Sequence, residues 1–149
     1  MWLPQHKIIV GGDVLSSDWM PVITGHGNIP NLINTLNHIA KLNPAIVLTG
    51  HGRATTAKSV NRDAGLLSRV WEQVKADHAN DMGSEEILSD IKTKLEPTYG
   101  SLYKDFATEI EGMLADVSTT TVEIYEQPTC VRQTLEGRIS ASGIETGIF

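Results

Sequence analysis

The sequence predicts an α/β fold, and three observations support this prediction. Two short apolar runs, at residues 8–10 and 45–48, each lead into glycine, as buried strands commonly do. Between them, apolar residues recur at the spacing of one helix face. After residue 56 the helical spacing dominates. Strand, crossover helix and strand form an α/β unit, in which functional side chains usually lie at the strand ends.

Each of the two predicted strands ends beside one potential metal ligand. The first run leads into Gly11-Gly12-Asp13, and the second leads into Gly50-His51. The adjacent glycines allow the backbone to turn sharply and leave the approach to each ligand open. Taken singly, Asp13 can be read as a turn residue and His51 as a loop histidine. Placed together at two strand ends, they form a candidate metal-binding pair.

The strands are predicted at residues 7–11 and 46–49, and a further strand at residues 22–24 is left open. Residues 2–7 resemble the end of a hairpin strand and its turn. Residues 14–27 form an irregular loop, whose apolar residues either line the site or plug the space beneath the loop. His26 lies in a second Gly-His-Gly but follows no strand, so it is not counted as a ligand.

Four helices are predicted between residues 30 and 117, and a short helix is expected around residues 129–136 of the tail. The crossover helix has Pro30 in its first turn, where proline is favoured. The second helix spans residues 56–77, and its Trp71 is interpreted as a core residue. The third begins at Ser84 and is expected to stop at Pro97. The fourth carries an apolar stripe made of Leu102, Phe106, Ile110, Met113 and Val117.

Residues 2–117 resemble the second half of a metallo-β-lactamase-fold hydrolase. The likeness rests on the spacing between the Gly-Asp and Gly-His-Gly strand ends, with Pro21, Gly27-Asn28 and the amphipathic helix between them. It implies an incomplete half of an αββα fold, with few strands and a helical C-terminal cover. It also implies that Asp13 bridges two metal ions, zinc or iron, and that His51 ligates one of them.

The family's main ligand cluster, His-x-His-x-Asp-His, is absent from this sequence. With Asp13 and His51 alone, metal binding is expected to be weak or absent, because catalytic zinc normally has three protein ligands. The family hydrolyses lactams, thioesters, lactones and phosphodiesters, and the sequence does not choose among them. No separate catalytic residue is assigned.

The sequence changes character at residue 118, after a helical pattern that ends at residue 117. Residues 123–139 are similar to the interdomain stretch of glucosamine-6-phosphate synthase, the glutamine–fructose-6-phosphate aminotransferase, and include Glu-Ile-Tyr-Glu-Gln-Pro at 123–128. None of that enzyme's catalytic residues falls in the matching stretch. The sequence therefore predicts a partial hydrolase domain at 1–117 and a poorly packed linker and tail at 118–149.

Composition sets broader limits on partners and location. The 149 residues carry a net charge of -6 and 40% hydrophobic residues, which suits one globular domain and argues against nucleic acid as a partner. No stretch approaches the roughly 20 apolar residues of a membrane span. The single cysteine, Cys130, excludes an internal disulfide and fits a reducing compartment, so a cytoplasmic location is expected.

Three functional hypotheses remain open from the sequence. The chain is a truncated metallohydrolase that is inactive alone, or one half of a split enzyme completed by another polypeptide or by a second copy. Alternatively, it is a non-catalytic remnant or interaction module, or a fused reading frame with an aminotransferase-like tail. The first hypothesis ranks highest for ancestry.

Overall fold

Within the residues that the structure describes, the protein is a mixed α/β structure with a three-stranded sheet and four α-helices, which confirms the predicted α/β class. The computed structural model describes residues 1–21, 23 and 28–115. The strands are β1 (Trp2–Leu3), β2 (Ile8–Ser16) and β3 (Ile46–His51). The helices are α1 (Ile29–Lys41), α2 (Ala57–His78), α3 (Ser84–Tyr99) and α4 (Phe106–Ala115). Single 3-10 turns lie at Pro4–His6 and Gly100–Leu102.

The sheet has the order β1-β2-β3 and confirms both the hairpin and the crossover. β1 pairs antiparallel with β2, and the 3-10 turn between them ends at Lys7 in the left-handed region, with φ 51°. β2 and β3 run parallel and are joined through α1. The parallel pairing brings the carboxyl ends of β2 and β3 to the same edge of the sheet, which is where both candidate ligands were expected.

The placement of Asp13 at the end of its strand was wrong in detail. β2 continues three residues past it, to Ser16, which pairs with His51. The pairing is irregular on both sides of Gly12, whose φ is 56°. A residue with positive φ can form a β-bulge, in which one extra residue interrupts the pairing before the strand resumes it. Asp13 therefore lies in a bulged part of the strand, beside the end of β3.

The helices begin where local capping chemistry allows. The Asn28 side chain accepts a hydrogen bond from Asn31 N at 2.8 Å, and Thr56 caps α2 through Lys58 N at 3.3 Å. Glu86 accepts a hydrogen bond from Gly83 N at 3.0 Å at the start of α3. These contacts satisfy amide groups that have no partner inside the helix.

Two helix boundaries differ from the prediction. α3 runs past Pro97 to Tyr99, because proline in the last turn removes only one donor and is tolerated where packing holds the turn. Leu102 is not part of α4: it lies in a 3-10 turn and is 47% exposed. The chain is extended at Tyr103, which separates that turn from α4.

The core lies between one face of the sheet and the helices. Ile9 and Val47 are paired in register and are 6% and 0% exposed. They belong to one buried cluster with residues of all four helices, and Trp71 is part of it at 8% exposure, as predicted. The helical layer therefore covers this face of the sheet.

The opposite face of the sheet is open among the residues that the structure describes, so the strands predicted to be buried are buried on one face and exposed on the other. Alternation along the paired strands puts one set of apolar residues on this face. We call this set the bare sheet face; it comprises Leu3, Ile8, Val10, Ile46 and Leu48. Ile46 and Leu48 are 41% and 40% exposed. The strands are buried on one side only, because the described helices cover one side only.

Several predictions fall on residues outside the described ranges. They concern Val22 and Thr24 of the possible further strand, His26, the end of the fourth stripe at Val117, and the linker and tail at 118–149. Ile23, the described residue of that possible strand, has no strand assignment. Within the described part of the chain, no helix combines the length and apolarity needed to cross a membrane.

Candidate metal-binding site

Asp13 and His51 meet at the edge of the sheet. Nε2 of His51 lies 3.3 Å from Oδ1 of Asp13. The two side chains are 56% and 85% exposed, respectively. The parallel pairing of β2 and β3 explains the proximity, since Gly12 pairs with Thr49 and Ser16 pairs with His51 on either side of the bulge. The structure therefore brings together the two residues that the sequence singled out.

The indole ring of Trp19 packs against one face of the His51 imidazole. Trp19 stacks on His51 with ring centroids 5.5 Å apart and an interplanar angle of 19°. The backbone N–H of Trp19 donates to Ser16 Oγ at 3.1 Å, which holds the loop close to the end of β2. Trp19 is itself 54% exposed. The indole therefore packs on the imidazole while part of its own surface stays open to solvent.

A cleft of about 260 Å³ surrounds the pair. Asp13, Ser16 and His51 supply its polar groups, and Trp19, Met20 and other apolar residues complete its wall. The sequence left open whether the apolar residues of the loop after β2 line the site or fill the space beneath the loop, and they do both. Met20 and Ile23 are 4% exposed and pack beneath the loop, while Trp19 faces the cleft.

Gly50 is the residue that permits the close approach of the strands at the site. A β-carbon at this position would overlap Oδ1 of Asp13 and would lie 2.7 Å from the carbonyl carbon of Gly12. Distances this short to backbone atoms require the backbone to move. Gly50 is therefore needed for its lack of a side chain, which is what places Asp13 over the end of β3.

Hydrogen bonds tie the loop after β2 to the loop after β3. Ser17 Oγ accepts from Arg53 N at 2.7 Å, and Ser17 N lies 3.5 Å from the carbonyl oxygen of His51. The Thr49 hydroxyl donates to the same His51 oxygen at 2.8 Å. Arg62 of α2 donates through its terminal guanidinium nitrogen to the Ser17 carbonyl at 3.1 Å. The helical layer thereby holds the segment that carries Trp19.

Arg62 belongs to a buried cluster that we call the Arg62–Asp63–Tyr103 cluster. Arg62 Nε and the Tyr103 hydroxyl both donate to Asp63 Oδ1, at 2.8 and 2.7 Å. The guanidinium also lies 4.3 Å from the centre of the Tyr103 ring. Burial raises the pKa of Asp63 above its ordinary value, and the hydrogen bonds from Arg62 and Tyr103 oppose that rise. Burial, followed by the neighbouring carboxylate, raises the pKa of Tyr103.

The donor set at Asp13 and His51 is of a type that zinc accepts, because imidazole nitrogen and carboxylate oxygen are both zinc ligands. The separation of 3.3 Å between Nε2 and Oδ1 is that of a direct contact between the two side chains. Within the described ranges no group of three or more histidine, cysteine, aspartate or glutamate residues is placed to hold an ion.

Sequence reasoning missed two contributors to this site, the stacking of Trp19 and the tether from Arg62, and it anticipated the role of Gly50 only as leaving the approach to His51 open. The stacking of Trp19, the spacing role of Gly50 and the tether from Arg62 all depend on residues distant in the chain. The signal for Gly50 was present in the sequence, because the residue immediately precedes His51. The tether from Arg62 has no local signal, since it spans 45 positions.

Comparison with known proteins adds no assignment. No protein-family model matches this chain, and no curated protein matches it.

Proposed function

We propose that the chain is the C-terminal half of a metal-dependent hydrolase of the metallo-β-lactamase superfamily, and that it is inactive by itself. The observation that supports this most directly is the juxtaposition of Asp13 and His51 across the ends of two parallel strands, 3.3 Å apart. Those two residues are the ones that the resemblance to the family's second half marks as ligands. The proposed metal is zinc or iron.

The residues of this chain would act as ligands and as positioning groups. Asp13 offers two carboxylate oxygens, enough to contact two ions, and the imidazole of His51 offers Nε2. Trp19 restrains the imidazole ring by stacking, and Gly50 lets the carboxylate approach it. A zinc or iron ion bound there would lower the pKa of a bound water toward about 7 and polarise the substrate's scissile bond.

Two features support an incomplete catalytic unit. A catalytic zinc site normally has three protein ligands and an open position, whereas Asp13 and His51 provide two. The bare sheet face leaves Ile46 and Leu48 about two-fifths exposed, although sheets normally bury their apolar faces against another layer. The remaining part of such a domain, or another copy of this chain, would supply the missing ligands and the layer that the described residues do not provide.

The bare sheet face also favours the second candidate function, a non-catalytic interaction module. In that case the apolar face is the functional surface and the Asp13–His51 pair is a remnant. The aminotransferase-like tail at 118–149 adds a variant of this candidate, a fused reading frame. The two candidates differ in one measurable property, which is metal binding after the missing half is supplied.

The test is reconstitution. The purified chain is expected to hold little zinc and to hydrolyse neither a thioester nor a lactam. Addition of the upstream half of a metallo-β-lactamase-fold enzyme should raise the bound zinc, measured by mass spectrometry of the metal. Asp13→Ala and His51→Ala should each abolish that gain. His38→Ala, which removes an exposed histidine of α1, is the matched control and should leave the gain intact.

Two results would contradict the proposal. One is stoichiometric zinc retained by the chain alone and insensitive to His51→Ala, which would mean that other residues bind the metal. The other is a stable complex with the upstream half that gains no zinc, which would favour the interaction module.

A further inference from the structure

A second cavity adjoins the cleft at Asp13 and His51, and we call it the apolar chamber. Its volume is about 380 Å³, within the range of about 300–1,000 Å³ typical of small-molecule pockets. It lies between the loop after β2 and helix α4. The loop contributes Met20, Pro21 and Ile23, and α4 contributes Gly112 and Met113.

The chamber and the cleft share a wall. Trp19, Met20 and Pro21 line both cavities. The ring that stacks on His51 is therefore also a wall of the chamber. A ligand with its reactive group at His51 has an adjacent apolar space into which an arm of the molecule can extend.

The charges around the chamber indicate which arm fits. Its one charged lining residue among the described positions is Glu109, whose Oε2 accepts a hydrogen bond from Met20 N at 2.7 Å. No lysine or arginine is among the described residues that line it. A carboxylate on the wall, without a cation to balance it, disfavours anionic groups such as phosphate. The chamber therefore suits an uncharged arm.

We propose that the apolar chamber binds the uncharged aliphatic or aromatic arm of the substrate, while the hydrolysable bond lies in the cleft beside Asp13 and His51. This inference rests on the proposed hydrolase function and narrows its substrate class. Esters, lactones and thioesters with an apolar acyl group fit this arrangement. Nucleic-acid phosphodiesters do not, because the next phosphate along the strand would bring a negative charge into the chamber.

Gly112 provides a way to fill the chamber without disturbing the core. A β-carbon added at this position of α4 has no atom within 4 Å. Gly112→Phe should therefore fold and project its ring into the space. Ala107→Phe is the matched control, because Ala107 lies on the same helix, is exposed and does not line the chamber. Circular dichroism and thermal melting of both variants establish that the fold is kept.

The probe is the neutral fluorophore N-phenyl-1-naphthylamine, titrated into the full 149-residue chain. We expect saturable binding with a stoichiometry of one. Gly112→Phe should weaken it by about tenfold or more, equivalent to 1.4 kcal/mol, and Ala107→Phe should not. Equal affinity in both variants, or no saturable binding by the unmodified chain, would overturn the proposal. Loss of the signal in Leu48→Thr instead would place the probe on the bare sheet face and would also overturn it.

Charge selectivity gives a second, independent readout. The anionic probe 8-anilinonaphthalene-1-sulfonate should bind the unmodified chain more weakly than the neutral probe. Glu109→Gln keeps an oxygen acceptor for Met20 N and removes the negative charge, so it should narrow the difference between the two probes. An unchanged preference in this variant would contradict the role given to Glu109.

The failure of this inference can be told apart from failure of the metal proposal. Probe binding needs neither metal nor the upstream half, so the unmodified chain treated with a metal chelator should retain it. In the reconstituted enzyme, Gly112→Phe should raise KM for a thioester with an apolar acyl group and leave the zinc content unchanged. A KM that does not change there, with zinc present, refutes the chamber's role and leaves the metal site standing.

Discussion

Two aspartates of this protein carry the same carboxylate into opposite surroundings. Asp63 is 1% exposed and its Oδ1 accepts hydrogen bonds from both Arg62 and Tyr103. Asp13 has a side chain that is 85% exposed, with His51 Nε2 as its neighbour at 3.3 Å. A buried carboxylate that accepts from strong donors stabilises the fold, because its removal leaves those donors without a partner. An exposed carboxylate beside an imidazole has lone pairs available for a ligand.

The two regions are physically connected. Arg62 pairs with Asp63 on one side and donates to the Ser17 carbonyl on the other. Ser17 in turn accepts from Arg53 N at the far side of the site. The Arg62–Asp63–Tyr103 cluster therefore holds the loops around Asp13 and His51 in place. Functional residues on loops are commonly positioned by a rigid scaffold in this way.

The largest expected effect on stability comes from removing the buried aspartate, Asp63. Asp63→Ala should lower the free energy of unfolding by about 3–5 kcal/mol, because it leaves Arg62 Nε and the Tyr103 hydroxyl without the acceptor that they share. Asp13→Ala should change stability by no more than about 0.5 kcal/mol, because the side chain is exposed. Urea unfolding followed by tryptophan fluorescence measures both. Similar losses in the two variants would mean that Asp13 is structural as well.

A smaller effect is expected from two glycines that differ in the space around them. Gly50→Ala forces a β-carbon against Asp13 and the backbone of Gly12, which should cost about 1–3 kcal/mol. It should also reduce the zinc gained on reconstitution. Gly112→Ala has open space at the β-carbon and lies in a helix, so it should stabilise the protein by about 0.5–1 kcal/mol. Thermal melting of the Gly50→Ala and Gly112→Ala proteins measures both changes in stability. A Gly50→Ala protein as stable as the parent would contradict the close approach of Gly50 to Asp13 and to the backbone of Gly12.

The smallest effect concerns Asp77, a buried carboxyl that is less well paired than Asp63. It is 4% exposed, and Gln73 donates to its Oδ1 at 2.6 Å, while its Oδ2 has no hydrogen-bond partner among the described residues. Burial raises its pKa above the ordinary 3.8; the Asp90 carboxyl raises it further, and Gln73 and Lys94 oppose the rise. The folded state thus binds the proton more tightly than the unfolded state, so Asp77 favours folding at low pH.

The raised pKa of Asp77 should make the free energy of unfolding depend on pH. The stabilising contribution of Asp77 should be complete below pH 3.8 and should be lost as the pH rises through the raised pKa. Asp77→Asn keeps an acceptor for Gln73 and cannot ionise, so its stability relative to the parent should increase across that pH range. Urea unfolding at a series of pH values tests this. A constant difference between the two proteins would show that the pKa of Asp77 is not raised.

The sequence by itself determined the order of the elements and the pair of candidate ligands. Helical periodicity located α2, and Ser84 with its following acids located the start of α3, because these signals lie within one or two turns of chain. Glycine-bounded apolar runs located β2 and β3. The parallel geometry of a strand–helix–strand unit then implied that Asp13 and His51 share an edge, and they do lie together.

Only the tertiary structure decided the features that depend on distant residues. The extension of β2 past Asp13 requires pairing with β3, and the exposure of Ile46 and Leu48 depends on which sheet face the helices cover. Arg62 reaches Ser17 across 45 positions, and the chamber forms where the loop after β2 meets α4. Local sequence fixes backbone preference and periodicity, whereas burial, cavities and long-range hydrogen bonds are set by packing between elements that the chain brings together only on folding.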